Sequence, residues 1–465
     1  MINFKNYSQE TFESAKTQNR PIFIFVGCSA SVHSLNIEKE LFTNEQIVSF
    51  LNAHFVCVKV DKDERTELDL YYQKAYKLLN NANGGWPLLV FATPSNQPFH
   101  AKTYMPTHSQ DKLLGFYEFC EIIVDKIESK DSDFFKNADE VAEHLTLSDR
   151  NKEATRLSLI LTQSYIAQAK ENFDENSGGF FADPKFPNSS IVNTLLDFYE
   201  KESNAEVLNM VTKTLSMLNR TASKNAKGFW YRHAYSEEFT LYDQALLVQT
   251  FVKAYKILKN EEYKDVAFKC CEFMLENMSD DGLFYLYEND KRVITSQNSM
   301  MISALFKVSE LDEKYLPIAL NSLEKLSAKM YVNSTLYHYE NVKGFLEDFA
   351  YFGVALINAY EKSGDEIYFI QAQLIANSAL SNFYDNGRWF YTKTKFSIDG
   401  DIYDSHMPSY IGAICELMVA LAEKEPKYIS FTKKSIEYYS YSLARDMIYS
   451  SYLFKEAMSI IANKL

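Results

Sequence analysis

Three of the eight histidines in this 465-residue chain, His233, His338 and His406, fall in short aromatic stretches or their equivalents between long amphipathic runs. The carboxylates Asp243, Glu347, Asp348 and Asp404 stand near the same stretches. Two carboxyls facing across a pocket can hydrolyse a glycosidic bond. Acid–base groups of near-neutral pKa, often histidine, can epimerise a carbon beside a carbonyl. Asp348, His406, Asp404, His233 and His338 therefore form the candidate catalytic set. Arg232 can grip a carboxylate or phosphate with its planar fork. Asp243 and Asn298 can bond sugar hydroxyls, and Trp230, Tyr337 and Trp389 can offer stacking faces; these six form the candidate substrate-binding set. A competing explanation exists for the acids. Glu347, Asp348 and Asp243 all sit at helix starts, where negative charge is favourable in any protein.

What positions these residues is a repeat. Five stretches, GGFFADPKFP from Gly178, GFWYRHAY from Gly228, DGLFYLY from Asp281, STLYHYE from Ser334 and NGRWFYT from Asn386, align on Gly179, Gly228, Gly282, Thr335 and Gly387 with steps of 49, 54, 53 and 52 residues. Each step holds two helical runs, and a period of this size marks one repeated supersecondary unit. The spacing predicts twelve helices, near 154–172, 190–201, 204–219, 240–258, 261–278, 298–309, 314–330, 345–362, 366–384, 408–424, 427–440 and 446–463. The run 345–362 is apolar on most faces, as an inner helix should be. Twelve helices in hairpins predict an (α/α)6 toroid over 145–465, with its pocket at the turn end; a long α-solenoid is the alternative.

The first 128 residues read differently. Pro21–Val26, Phe55–Val60 and Pro87–Thr93 are short apolar runs of buried strands, Phe99–Tyr104 is a candidate edge strand, and helical segments lie between them. Strand, helix, strand, helix, strand, strand, helix is an α/β layer domain, with 129–144 as a linker helix. It resembles the thioredoxin fold in two places. Gly84-Gly85-Trp86-Pro87 precedes the third strand, where that fold keeps a cis-proline, here Pro87. The loop after the first strand is where a redox member carries C-x-x-C, and this chain has Ser31-Val32-His33-Ser34.

Composition narrows the classes. Net charge is −14 and hydrophobic residues make up 46%, with no basic run longer than two residues, so nucleic acid and anionic membranes are not expected partners. No apolar run reaches the ~18 residues of a membrane span, and the polar start lacks signal-peptide layout. Six cysteines without metal-ligand or disulfide spacing favour a reducing cytoplasm. No metal and no cofactor are expected.

Specific segments then carry a resemblance. Glu40–Phe42 (ELF), Val60–Arg65 (VDKDER), Gly84–Pro87 and Thr93-Pro94 resemble the N-terminal domain of the spermatogenesis-associated protein 20 family, which includes the bacterial YyaL proteins. Gly178–Pro187, Leu241–Gln244 (LYDQ), Asp290–Leu305, Gly344–Tyr351 (GFLEDFAY) and Asp404–Ser409 (DSHMPS) continue the match in order. The resemblance implies a thioredoxin-like domain followed by a six-hairpin-glycosidase-like toroid similar to N-acylglucosamine 2-epimerases. The chain departs from the family where chemistry is expected. The two cysteines of the C-H-W-C-H segment fall on Ser31 and Ser34, making these degenerate redox positions. The P-H-F-E-K-M and D-A-D-S-E-G segments are missing, and the Trp of T-S-W-N-G is Gln297. The resulting expectation is a redox-inactive thioredoxin-like domain and a toroid for carbohydrate binding or processing; if active, a cofactor-independent sugar epimerase, isomerase or glycoside hydrolase. The rival is a non-catalytic protein-interaction or regulatory module, with a protein rather than a saccharide as partner. Thiol–disulfide oxidoreductase is disfavoured.

Overall fold

Ile22–Gly27 is buried at every position, so it needs neighbours on both edges and cover on both faces. In a computed structural model that describes residues 1–110, 113–146, 154–223, 228–233, 235–236, 238–393 and 398–463, this strand, β1, pairs parallel with β2 (Val56–Asp61) and antiparallel with β3 (Leu88–Ala92). β3 pairs antiparallel with β4 (Pro98–Lys102), giving the order β2-β1-β3-β4. The helices of this part are α1 (Gln9–Gln18), α2 (Val32–Phe42), α3 (Glu45–His54), α4 (Thr66–Asn80), α5 (Phe116–Glu128) and α6 (Ser132–Thr146). Phe23, Phe25, Cys57, Leu89 and Phe91 of the sheet share one core with Ile37 and Leu41 of α2, Leu51 of α3 and Phe116 of α5. The segment 129–144, read from sequence as a linker helix, holds most of α6, which packs on α4 and β4. Phe134 meets Phe99 of β4 at 4.4 Å between ring centroids. The chain accordingly divides into Met1–Asn151 and Lys152–Leu465.

The second unit has twelve helices among its described residues: α7 (Leu161–Glu171), α8 (Ser189–Glu202), α9 (Ala205–Ser223), α10 (Leu241–Leu258), α11 (Glu261–Asn277), α12 (Thr295–Ser309), α13 (Tyr315–Met330), α14 (Leu346–Ser363), α15 (Glu366–Phe383), α16 (Tyr410–Ala422), α17 (Lys427–Arg445) and α18 (Ser451–Asn463). The first starts seven residues later than the pattern from 154 predicts. The backbone there is spent elsewhere: Thr155 N–H donates to Ser440 Oγ at 2.9 Å. α8, α10, α12, α14, α16 and α18 form an inner ring, each packing on the next, and α18 packs back on α8. α9, α11, α13, α15 and α17 each back the inner helix before them. Tyr165 of α7 stacks on Phe454 of α18 at 5.0 Å, and Thr194 of α8 donates to Ser451 O. These contacts close the ring, so the unit is a toroid and not an open solenoid.

The repeated aromatic stretches are the turns between outer and inner helices. Asp281-Gly282, Asn333-Ser334 and Asn386-Gly387 are two-residue loops with both φ positive, the type I′ signature that matches strand twist. They join the short strand pairs Asp280↔Leu283, Val332↔Thr335 and Asp385↔Arg388. At Gly387, φ is 98°, and an added Cβ would lie 2.5 Å from Lys434 O on α17; only glycine fits both constraints. Side-chain amides pin two of the stretches to inner helices. Gln244 of α10 accepts from Trp230 N and donates to Trp230 O, and Asn298 of α12 does the same to Phe284.

Candidate functional site in the toroid

The candidate residues separate into two clusters and a remainder. In the first, Asp348 is fully buried at the start of α14. One oxygen accepts from Ser296 N at 3.0 Å, the other from Phe345 N at 2.8 Å. His338 Nδ1 lies 2.9 Å from both. Beside them Glu347, 3% exposed, meets Ser296 Oγ at 3.3 Å and lies 3.8 Å from His338 Nδ1. Burial first, then the charge of Asp348, push the Glu347 carboxyl up to about 7, against the pull of His338, Tyr391 and Ser296. His338, Glu347 and Asp348 bring ligand-type atoms within 4.8 Å of one another. The two backbone N–H groups and the imidazole already satisfy Asp348 without an ion. Tyr337 adjoins this cluster: its carbonyl accepts from Thr295 Oγ1 at 2.6 Å.

The second cluster centres on Arg232, which is 8% exposed. Its Nε lies 3.3 Å from Asp243 Oδ2, and a terminal nitrogen lies 3.1 Å from His406 Nδ1. Asp243 also accepts from Thr240 Oγ1 at 2.6 Å; burial raises its pKa while Arg232 opposes the shift. Phe186 lies under the guanidinium at 5.4 Å and edge-on to His233 at 5.3 Å. Burial and then Arg232 lower the His233 pKa. Asp404 stands apart from both clusters and ties two helix starts together, accepting from Ser409 N at 2.8 Å and Tyr452 N at 3.0 Å. Desolvation nevertheless pushes its carboxyl up to about 7.

Three expectations need correction. Trp230 and Trp389 are 0% and 1% exposed; the first stacks on Phe251, and the second donates its indole N–H to Ser435 Oγ. Neither has a face left for a sugar. Asn298 is buried and its amide is spent on Phe284. Aromatic and amide residues near the turns suggested sugar contacts, and their work is packing and backbone capture.

The sequence reading missed the cavity. About 370 Å³ of space lies at the ring centre, and all six inner helices line it. On α10 the residues that escape full burial within 241–254 are Leu246, Gln249 and Lys253, spaced i, i+3, i+7, and all three face the cavity. Tyr351, Asn358, Glu416, Tyr452 and Lys455 add to the wall. The available signal was a polar stripe on otherwise apolar helices, such as the single Glu416 in YIGAICELMVALA. The clusters at the turn end adjoin this space: Asp243 lies one turn before Leu246 on α10, and Glu347 one turn before Tyr351 on α14.

In the first unit Ser31 caps α2. Its hydroxyl accepts from Ser34 N and donates to Trp86 O at 3.2 Å. Ser34 Oγ accepts from Cys28 N. The Trp86–Pro87 bond is cis. Cys28 is buried, and no cysteine forms a disulfide. No helix among the described residues is long and apolar enough to cross a membrane.

Residues 1–146 match the family model Thioredox_DsbH, described as a protein of unknown function, DUF255. Mouse spermatogenesis-associated protein 20 is 30% identical over 308 residues, 62% of this chain and 38% of that protein; the human protein is 28% identical over 306 residues, 62% and 39%. The chain thus spans about two fifths of the length of these curated relatives. Among solved structures, a sugar epimerase from a ruminal bacterium matches with a TM-score of 0.54 at 12% identity, over 66% of this chain and all of that one. A GH76 alpha-mannanase of Bacteroides thetaiotaomicron matches at 0.52 and 12%, over 66% and 95%. Identities this low speak for the fold alone. With a thioredoxin-like unit ahead of an α toroid whose fold resembles those of the epimerase and the mannanase, this chain is similar to spermatogenesis-associated protein 20, and it carries Ser31 and Ser34 where a C-x-x-C pair would stand.

Proposed function

We propose that the toroid binds a saccharide in the cavity enclosed by its six inner helices. The lining carries this reading. Ser190, Asn193, Thr194, Gln249, Ser303 and Asn358 present hydroxyls and amides to a space of about 370 Å³, within the ~300–1,000 Å³ range of small-molecule pockets. The fold neighbours, a sugar epimerase and an alpha-mannanase, support the ligand class. Binding takes precedence over turnover because the oxygens of Asp348 and Asp404 are occupied by N–H donors. A processing role has one supporting observation. Glu347, one turn from the cavity-lining Tyr351, has its carboxyl pushed up to about 7 by burial and by Asp348, a direction that suits a general acid. In the first unit, dithiol exchange needs an attacking and a resolving thiol. With serine at both positions, we expect no disulfide reductase activity.

The test is a thermal-shift and calorimetry screen of the whole chain against mono- and disaccharides. A ligand at about 100 times its Kd stabilises by ~2.7 kcal/mol. Binding that is lost in Asn358→Ala and Gln249→Ala variants, with their melting retained, supports the site. No stabilisation by any saccharide sinks it.

A further inference from the structure

We infer that the ligand of the central cavity carries an anionic group, a carboxylate or phosphate on the sugar, and that Lys307 is its anchor. The inference rests on the saccharide reading for the neutral part of the ligand only. Every residue of α12 except Lys307 is buried, and Lys307 faces the cavity. Three other lysines line the same wall, and each has its carboxylate. Lys253 meets Asp197 at 2.6 Å, Lys256 meets Glu310 at 2.5 Å, and Lys455 meets Glu456 at 3.0 Å. Among the described residues Lys307 has no carboxylate within 4 Å. Glu310, Glu361 and Glu416 feel its charge, but Glu310 already holds Lys256 and Lys362. Glu416 holds Lys455 and the Tyr452 hydroxyl, and Glu361 lies exposed on α14.

The wall carries four lysines and three glutamates, Glu200, Glu310 and Glu416, and with Asp197 and Glu456 holding Lys253 and Lys455, Lys307 is the wall lysine without an ion pair among the described residues. An ammonium held in a confined space away from its counter-ion is costly unless something pairs with it. Hydroxyl donors stand beside it. Ser303 lies one turn before Lys307, also on the cavity wall, and its Oγ accepts from Asn358 Nδ2 at 3.2 Å, which leaves the Ser303 proton free to donate outward. An ammonium next to a hydroxyl and an amide recognises an anionic oxygen next to a sugar hydroxyl.

The experiment is calorimetry on the whole chain and on Lys307→Met and Lys307→Arg, at low and high salt. The probes are glucose, mannose and galactose, their uronates, their 6-phosphates, and inorganic phosphate. The expected result is at least tenfold tighter binding of one charged form than of its neutral hexose. That preference weakens with salt, disappears in Lys307→Met with glucose-type affinity and melting unchanged, and returns in Lys307→Arg. The choice between uronate and 6-phosphate identifies the anion. Equal affinity for neutral and charged hexoses overturns the anion inference and leaves the saccharide reading standing. Inorganic phosphate binding as tightly as the sugar phosphates, through Lys307, does the reverse. A Lys307→Met variant that melts lower with affinities unchanged makes Lys307 a helix-end cation only and overturns the inference. No binding by any probe overturns both.

Discussion

Asp348 holds two helices at once, accepting from Ser296 N on α12 and Phe345 N ahead of α14, and it is the charge of Asp348, after burial, that makes its neighbour Glu347 hard to ionise. The sign of the consequence follows from linkage. An unfolded Glu titrates near 4.5 and the folded one at about 7. Between those values the folded state binds the extra proton, so stability falls as pH rises through that window. At about 1.4 kcal/mol per pKa unit, the loss is on the order of 3 kcal/mol. Glu347→Gln mimics the protonated acid. The expected outcome is a flatter dependence of Tm on pH between 5 and 8, with the variant more stable than the parent above pH 7. Parallel pH profiles for the two proteins would show that Glu347 ionises freely. At this scale the sequence was partly legible. Three acids at helix starts could be read as such, including the possibility that they serve the helix. That Ser296, 52 residues away, and His338 would fill the oxygens of Asp348 could not, because those contacts exist only once two neighbouring hairpins pack.

The turns were the most legible elements, since their residues are dictated by local backbone geometry. Asn-Gly and Asp-Gly before an aromatic stretch supply the two positive φ angles of a type I′ loop. The same geometry separates one glycine from another. Gly387 combines φ of 98° with Lys434 O at 2.5 Å from an added Cβ, whereas Gly364, the C-terminal cap of α14, has φ of 70° and open space. Gly364→Ala should cost about 1 kcal/mol, the backbone term alone. Gly387→Ala should cost appreciably more, roughly 2–4 kcal/mol, because α17 must also shift. Urea unfolding of both variants measures the difference; equal costs would mean that the close approach to α17 relaxes without penalty. The inner-helix stripes were less legible. Leu246, Gln249 and Lys253 read as a break in amphipathicity, and a cavity-facing stripe looks like a solvent-facing one until the ring places the other inner helices opposite it.

For the whole molecule, the period predicted repeated hairpins but carried no information on curvature, which small rotations between successive hairpins accumulate. Closure is decided by contacts between the first and last hairpins, about 290 residues apart in sequence: Tyr165 with Phe454 and with Ser451 Oγ at 2.6 Å. Phe454 is fully buried, so Phe454→Ala should remove about 3–5 kcal/mol from the toroid and reopen the seam. Phe91 holds the corresponding place in the first unit, fully buried against Phe23, Phe116 and Phe119, and Phe91→Ala should cost a similar amount there. The chain divides into two units, each with its own core cluster, and a core of that kind unfolds as a cooperative block. Scanning calorimetry of the whole chain should therefore show two transitions. Phe454→Ala should lower the one with the larger enthalpy, since unfolding enthalpy scales with residue number, and leave the other in place; Phe91→Ala should do the opposite. The smaller transition, unmoved by Phe454→Ala, would then serve as an internal reference for ligand titrations, because a saccharide bound within the ring should raise only the larger one. A single transition lowered by both substitutions would mean that the two units unfold as one, and ligand-induced shifts could then no longer be assigned to the toroid.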